Sequence, residues 1–339
     1  MAHIVGWVLA CTTFLLEAGQ ARVVGKSYDW DQVQALVLVN KRGVAKQALP
    51  TPAGGPAARW VSRWESLTFN QYGRELPNGG MNERGLVIEI MWLDSSVYPP
   101  ADQRPGLDGL QWIQYQLDNY ATVPEMVAHA DEVRVAPTYG RIHYLACDRS
   151  GACAAFEYVG GRLLVSSGAA LPAKVLTNNT YAESVAFLRA HAKAPPGGPG
   201  SLERFARAAQ MVRTPGKDLV GRAFQILEAV SQGDYSKWNI VYDPVRLKVW
   251  FRSRASWRIK SVELGKFDPS CLTPVRMLDM ADDATGDVSA RFRDYDEAAN
   301  RKLLSESLAP ILGQLPPGVV DVIAAYPRST ACKAERAMR

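Results

Sequence analysis

Cysteine is the most nucleophilic side chain available near neutral pH, and this chain carries five, at positions 11, 147, 153, 271 and 332. The odd number leaves at least one thiol outside any intrachain disulfide. Cys147 and Cys153 flank a five-residue turn and are candidates to pair in an exported protein, with Cys271 and Cys332 as the other candidate pair. Cys11 stands apart, because it follows the apolar run Ile4–Ala10. Cleavage after Ala10 would leave a residue bearing both a thiol and an α-amine. That amine, with a reference pKa of roughly 7.7 to 8, can take the thiol proton directly or through a water, so amide cleavage would need no separate histidine. Two other readings of Cys11 stand beside this one: a buried core thiol, and a lipid-acylated cysteine in the box Val8-Leu9-Ala10-Cys11, which Leu9 fits poorly.

Other chemistries find little support. The histidines, at 3, 129, 143 and 191, show no metal-ligand spacing, so no metal or cofactor is expected. There is no G-x-S-x-G elbow, phosphate-binding loop or dinucleotide fingerprint. Net charge is +5, with Lys and Arg scattered rather than clustered, which gives no footprint for nucleic acid and points to a small-molecule partner. Ile4–Ala10 is far short of the roughly 20 residues a membrane-spanning helix needs. Met1–Ala10 resembles the end of a secretory signal without its basic front, and is read as a removable signal or propeptide remnant that implies a periplasmic or secreted protein, a cytoplasmic one remaining open.

The elements that must position Cys11 read as follows. Strands are predicted at 12–16, 21–26, 34–40, 60–69 and 86–93, with a dense turn signal at 78–85. Helices follow at 108–120 and after Thr122, with Pro124 in the first turn. A hairpin at 141–147 and 153–158 and a strand at 162–166 precede helices at 181–192, 202–212 and 218–231, and a second hairpin spans 238–242 and 247–252. Strands this closely spaced leave no room for helical crossovers, so the fold class is α+β with mostly antiparallel sheets, in one domain from 11 to 339.

The motifs Cys11-Thr12-Thr13-Phe14, Val24 to Trp30, Gly80 to Leu86, Leu176-Thr177-Asn178-Asn179, Glu203-Arg204-Phe205 and Trp238 to Asp243 fall in an order that resembles the choloylglycine hydrolase and penicillin V acylase family. The resemblance implies an N-terminal nucleophile hydrolase acting on a linear amide: a four-layer αββα sandwich whose nucleophile begins a strand and is exposed by removal of the preceding residues. Cys11 would be the nucleophile, Asp29 the carboxylate holding it, Asn178 an oxyanion donor, and Arg204 the charge beside the sulfur. Trp92, Lys26 and Asn82 fall to substrate binding or the oxyanion. Lys26 replaces the arginine usual in bile-salt hydrolases, and loses its planar fork. Trp92 is similar to the acylase branch of Gram-negative bacteria, and could either donate its indole N–H to the oxyanion or wall an acyl pocket. The implied substrates are penicillin V and N-acyl homoserine lactones, with conjugated bile salts as an alternative. Acyl transfer through the same nucleophile and a lipid-anchored binding protein also remain open. The resemblance further suggests a homotetramer.

Overall fold

Cys11 stands at the head of a hairpin, Thr12–Ala18 paired antiparallel with Ala21–Asp29. The turn between them is two residues long, and Gly19 takes the left-handed φ of 58° that such tight turns favour. In the computed structural model, which describes residues 11–51, 54–136, 140–193 and 197–333, this hairpin lies in a seven-stranded sheet. The order is Val175–Leu176, Thr12–Ala18, Ala21–Asp29, Ser236–Asp243, Lys248–Ser253, Ser256–Glu263 and Gly286–Asp287. A nine-stranded antiparallel sheet faces it, in the order Arg162–Ser167, Cys153–Val159, Ile142–Cys147, Val87–Trp92, Gly79–Asn82, Ser66–Asn70, Leu36–Asn40, Arg276–Asp279 and Arg293–Asp294.

Period-2 alternation sorts each strand between two environments. On Val87–Trp92, Val87 and Met91 join Phe69 and Leu145 in the core between the sheets, whereas Ile88 and Ile90 pack outward on Trp112, Ile113, Leu117 and Met126. Those four belong to the helices Gly109–Asn119, capped by Asp108, and Val123–Ala128, capped by Thr122. On the far side of the first sheet lie Tyr181–Ala190, Ser201–Met211 and Leu219–Ala229, which bury Phe205, Ala208 and Ile226. The layers therefore run helix, sheet, sheet, helix, the αββα sandwich expected from the motifs.

The same alternation divides the hairpin's polar residues. Thr13 pairs with Lys26 and faces the second sheet, where Thr13 Oγ1 donates to Met91 Sδ at 3.1 Å. Thr12 pairs with Ser27 and faces the helices, where Thr12 Oγ1 accepts from Arg204 at 2.7 Å.

Elsewhere the chain departs from its sequence pattern. The single strand expected at 60–69 is two, Arg59–Val61 and Ser66–Asn70, in different sheets. Ser62 Oγ donates to Lys41 O at 2.7 Å and accepts from Val44 N, Ser62 N donates to Val44 O, and Arg63 N donates to Asp118 O, so the chain turns from the first ladder to the helix Gly109–Asn119 before it enters the second. Ser256–Glu263 and the helices Glu297–Leu308 and Val319–Ala325 were not foreseen. Cys147 and Cys153, register partners on adjacent strands, form a disulfide, as do Cys271 and Cys332, leaving Cys11 as the free thiol. No helix among the described residues is long and apolar enough to cross a membrane. The expected removable head, residues 1–10, lies outside the described residues.

Candidate active site

The hairpin places Cys11 where the two sheets and the helix Ser201–Met211 converge. Its side chain is 4% exposed, and Sγ lies 3.9 Å from Asp29 O on the adjacent strand. Burial pushes the thiol above its ordinary pKa. The positive charge of Lys26 pulls the other way, the Asp29 carboxylate raises the value further, and Arg204 lowers it.

Arg204 ties the site together. Helix Ser201–Met211 starts at the level of Cys11, so the residue in its first turn projects across the end of the hairpin. The guanidinium is fully buried: Nη1 donates to Cys11 O at 2.8 Å and Thr12 Oγ1 at 2.7 Å, Nη2 to Asn178 Oδ1 at 2.9 Å, and Nε to Pro199 O at 3.1 Å. The planar fork suits this work, because one rigid group reaches the backbone of Cys11 and the side chain of Asn178 at once.

Asp29 closes its strand on the helix side. Oδ1 accepts from Ser27 Oγ at 2.6 Å, while Oδ2 is buried without a hydrogen bond. Burial raises its pKa, and the nearby Arg204 charge opposes that most strongly. The side chain of Ser236, on the strand paired with Ala21–Asp29, also favours the charged carboxylate.

Asn178 follows the short strand Val175–Leu176 and is anchored on every side. Its N–H donates to Ser201 Oγ at 2.8 Å, Oδ1 accepts from Arg204, and Nδ2 donates to Trp92 O at 2.9 Å. An amide nitrogen carries two hydrogens, so one remains for a substrate. Trp92 itself brings no donor, since its Nε1 already donates to Asp94 Oδ1 at 2.6 Å. Its ring lies 5.7 Å from that of Trp30, which follows Asp29 directly.

The two other residues expected at the substrate or the oxyanion, Asn82 and Lys26, have the following surroundings. Asn82 has all its hydrogen-bonding capacity engaged: Nδ2 donates to Leu117 O and Tyr120 O at 2.8 Å, and Oδ1 accepts from Arg84 N and Leu86 N. It shapes the turn after Gly79–Asn82 and anchors the outer helix. Lys26 is enclosed between the sheets, where Nζ donates to Ile90 O and lies 3.6 Å from Met91 Sδ and 3.7 Å from Glu89 Oε2. Its positive charge lowers the pKa of the Cys11 thiol.

Other residues join the site with little warning from the sequence. Trp30 sat inside a quoted motif without a role. Ser27, Ser201, His143 and Glu157 carry no pattern of their own, because hydroxyls and a lone histidine on apolar strands look like ordinary core residues. Among the described residues no group of three or more His, Cys, Asp or Glu side chains is arranged to hold a metal ion. A groove of about 350 Å³ lies beside the segment after Trp30, lined by Asp31, Gln32, Asp234, Lys237 and Arg254 among others. It does not include Cys11.

Comparison with known proteins places this geometry among relatives. No protein-family model matches the chain. It is a homologue of the penicillin V acylase of Pectobacterium atrosepticum, 26% identical, with 77% of this chain and 82% of the relative covered. The structure is similar to that of penicillin V acylase from Agrobacterium tumefaciens, with a TM-score of 0.74 and 25% identity over 85% of this chain and 98% of the other. A variant of conjugated bile acid hydrolase from Clostridium perfringens, at 15% identity, shares the fold with a TM-score of 0.67, over 79% of this chain and 96% of its own. The fold is that of the N-terminal nucleophile hydrolases.

Proposed function

We propose that this protein hydrolyses a linear amide with Cys11 as an N-terminal nucleophile. The observation that carries the reading is the Arg204 clamp, which joins the Cys11 carbonyl to the Asn178 side chain within 2.9 Å on each side, so that nucleophile and oxyanion donor are held as one unit. Homology to penicillin V acylase supports the reaction class.

In this reading removal of residues 1–10 frees the Cys11 α-amine. Its ammonium form would donate to the neighbouring Asp29 carboxylate, and its charge adds to that of Lys26 and Arg204 in favouring the thiolate over the buried thiol. The thiolate attacks the amide carbon, and the oxyanion takes the remaining Nδ2 hydrogen of Asn178. The ammonium gives its proton to the departing amine, leaving a thioester on Cys11. The α-amine, now neutral, draws a proton from water, whose hydroxide attacks the thioester, releases the acid and restores the thiolate beside the ammonium.

The Trp30 and Trp92 rings favour an acyl group that is flat or chain-like, such as the phenoxyacetyl of penicillin V or the acyl chain of an N-acyl homoserine lactone. Both disulfides suit a periplasmic or secreted setting. Release of phenoxyacetic acid from penicillin V is the test. Cys11→Ala is expected to lower kcat by at least about 10³-fold with the fold intact, and a variant that keeps activity within a few fold would contradict the reading.

A further inference from the structure

His143 and Glu157 form a buried ionisable pair that the reaction above does not use. His143 lies on Ile142–Cys147 opposite Met91, fully buried, and Glu157 is 4% exposed on the neighbouring strand. His143 Nε2 lies 2.7 Å from Thr177 O, and Nδ1 lies 3.0 Å from Glu157 Oε1. A carbonyl oxygen only accepts, so Nε2 must carry a hydrogen, and one further proton is shared between Nδ1 and Glu157. Glu157 Oε1 also accepts from Tyr181 N at 2.9 Å, in the first turn of helix Tyr181–Ala190.

The consequence falls on one peptide unit. The Thr177 carbonyl takes the His143 hydrogen, and the N–H on the other side of the same rigid plane, that of Asn178, donates to Ser201 Oγ at 2.8 Å. The plane is therefore pinned from both sheets' sides at once: from the second sheet by His143, and from the helix by Ser201. With its backbone fixed, the Asn178 amide is aimed by the two side-chain bonds to Trp92 O and Arg204. An ionisable pair removed from water in this way is a weak source of net stability, and such pairs concentrate where geometry must be exact.

We propose that His143 and Glu157 are positioning residues for Asn178, holding the 177–178 peptide so that the free Nδ2 hydrogen meets the developing oxyanion. This rests on the proposed function, since it takes Asn178 to be the oxyanion donor. Because an oxyanion bond is made chiefly in the transition state, misplacing it lowers kcat more than it raises KM.

The test compares His143→Leu, which removes the bond to Thr177 O, with His143→Gln, whose amide nitrogen reaches the position of Nε2. With penicillin V and a long-chain N-acyl homoserine lactone as substrates, the leucine variant is expected to lose kcat on the order of 10- to 100-fold with KM nearly unchanged, and the glutamine variant to recover most of it. Should the leucine variant not accumulate, His143→Asn, which reaches Glu157 but not Thr177, replaces it in the same comparison. Equal impairment in both members of the pair, a loss confined to KM, or full kcat in the leucine or asparagine variant overturns the positioning role. Formation of an acyl-Cys11 adduct by the wild-type enzyme is followed in parallel by mass. An adduct together with any of those kinetic results leaves the nucleophile standing and removes only the dyad. Absence of an adduct with both substrates overturns the proposed function and this inference with it.

Discussion

Glu89 shows how closely charge is packed beside the candidate nucleophile. It faces the first sheet, where Tyr242 Oη donates to Oε1 and Lys26 Nζ lies 3.7 Å from Oε2. Burial lifts its pKa to about 7, with Lys26 pulling downward less strongly. The unfolded chain releases this proton near 4.5, whereas the native protein holds it to about 7. The stabilisation is thus full below the unfolded value and is lost as pH rises through the folded one, a difference of up to about 3 kcal/mol. Glu89→Gln is expected to flatten the fall in urea midpoint between pH 5 and 8, leaving the smaller slope that Glu65, also raised to about 7, contributes in the same direction. An unchanged slope would show that Glu89 titrates normally. At this scale the sequence was partly legible. Cys11 stood out because an unpaired thiol followed a cleavable run, and motif order brought out Asp29, Asn178 and Arg204, which the structure gathers. Arg204 on an amphipathic helix would otherwise pass for a surface charge. The Trp92 bond to Asp94, the saturation of Asn82 and the enclosure of Lys26 depend on where neighbouring strands lie, and that is not written in local spacing.

Strand pairing brings the site to its geometry, and the Cys11 hairpin depends on a close fit at its centre. Phe14 lies directly opposite Gly25, and a Cβ built on that glycine would fall 2.3 Å from the Phe14 ring. Gly25→Ala therefore forces the ring, the strand or both to move. It is expected to destabilise the protein by about 1 to 3 kcal/mol in urea unfolding, and by clearly less in a Phe14→Leu background, because the two changes share one space. Equal costs in both backgrounds would refute the steric account. Most elements were legible where periodicity and caps agreed. The helix expected at 181–192 is Tyr181–Ala190, and Thr180 with Glu183 forms the capping box that opens it. The break at 62–65 was not legible, because its cause is hydrogen bonding to residues distant in the chain. Nor was the carboxyl-terminal quarter, where the strand Ser256–Glu263 and the helices Glu297–Leu308 and Val319–Ala325 are set among short strands and 3₁₀ turns.

Across the whole molecule, two sheets enclosed by helices leave the end of the first hairpin as the meeting point of three layers, and Cys11 occupies it. The disulfides act very differently on this scaffold. Cys147–Cys153 closes a separation of 6 residues and reinforces a hairpin already paired, while Cys271–Cys332 closes one of 61 and ties the last described strand, which pairs with Val44–Gln47, to the segment that precedes Arg276–Asp279. Chain-entropy arguments assign the longer loop the larger restriction of the unfolded state. Antiparallel sheets covered by helices followed from strand spacing and the four-layer order from the resemblance that the motifs carry, whereas the placement of the segment after residue 256 came only with the structure. The central claim is that the mature enzyme begins at Cys11 and carries its acyl intermediate there. Intact-mass and peptide-mass analysis of purified protein, acid-quenched during turnover of penicillin V, tests it directly. The expected result is a chain starting with Cys11, bearing a free α-amine, and a transient gain of one phenoxyacetyl group localised to that residue. A chain that turns over substrate while Cys11 remains internal, or an acyl group found on any other residue, would contradict it.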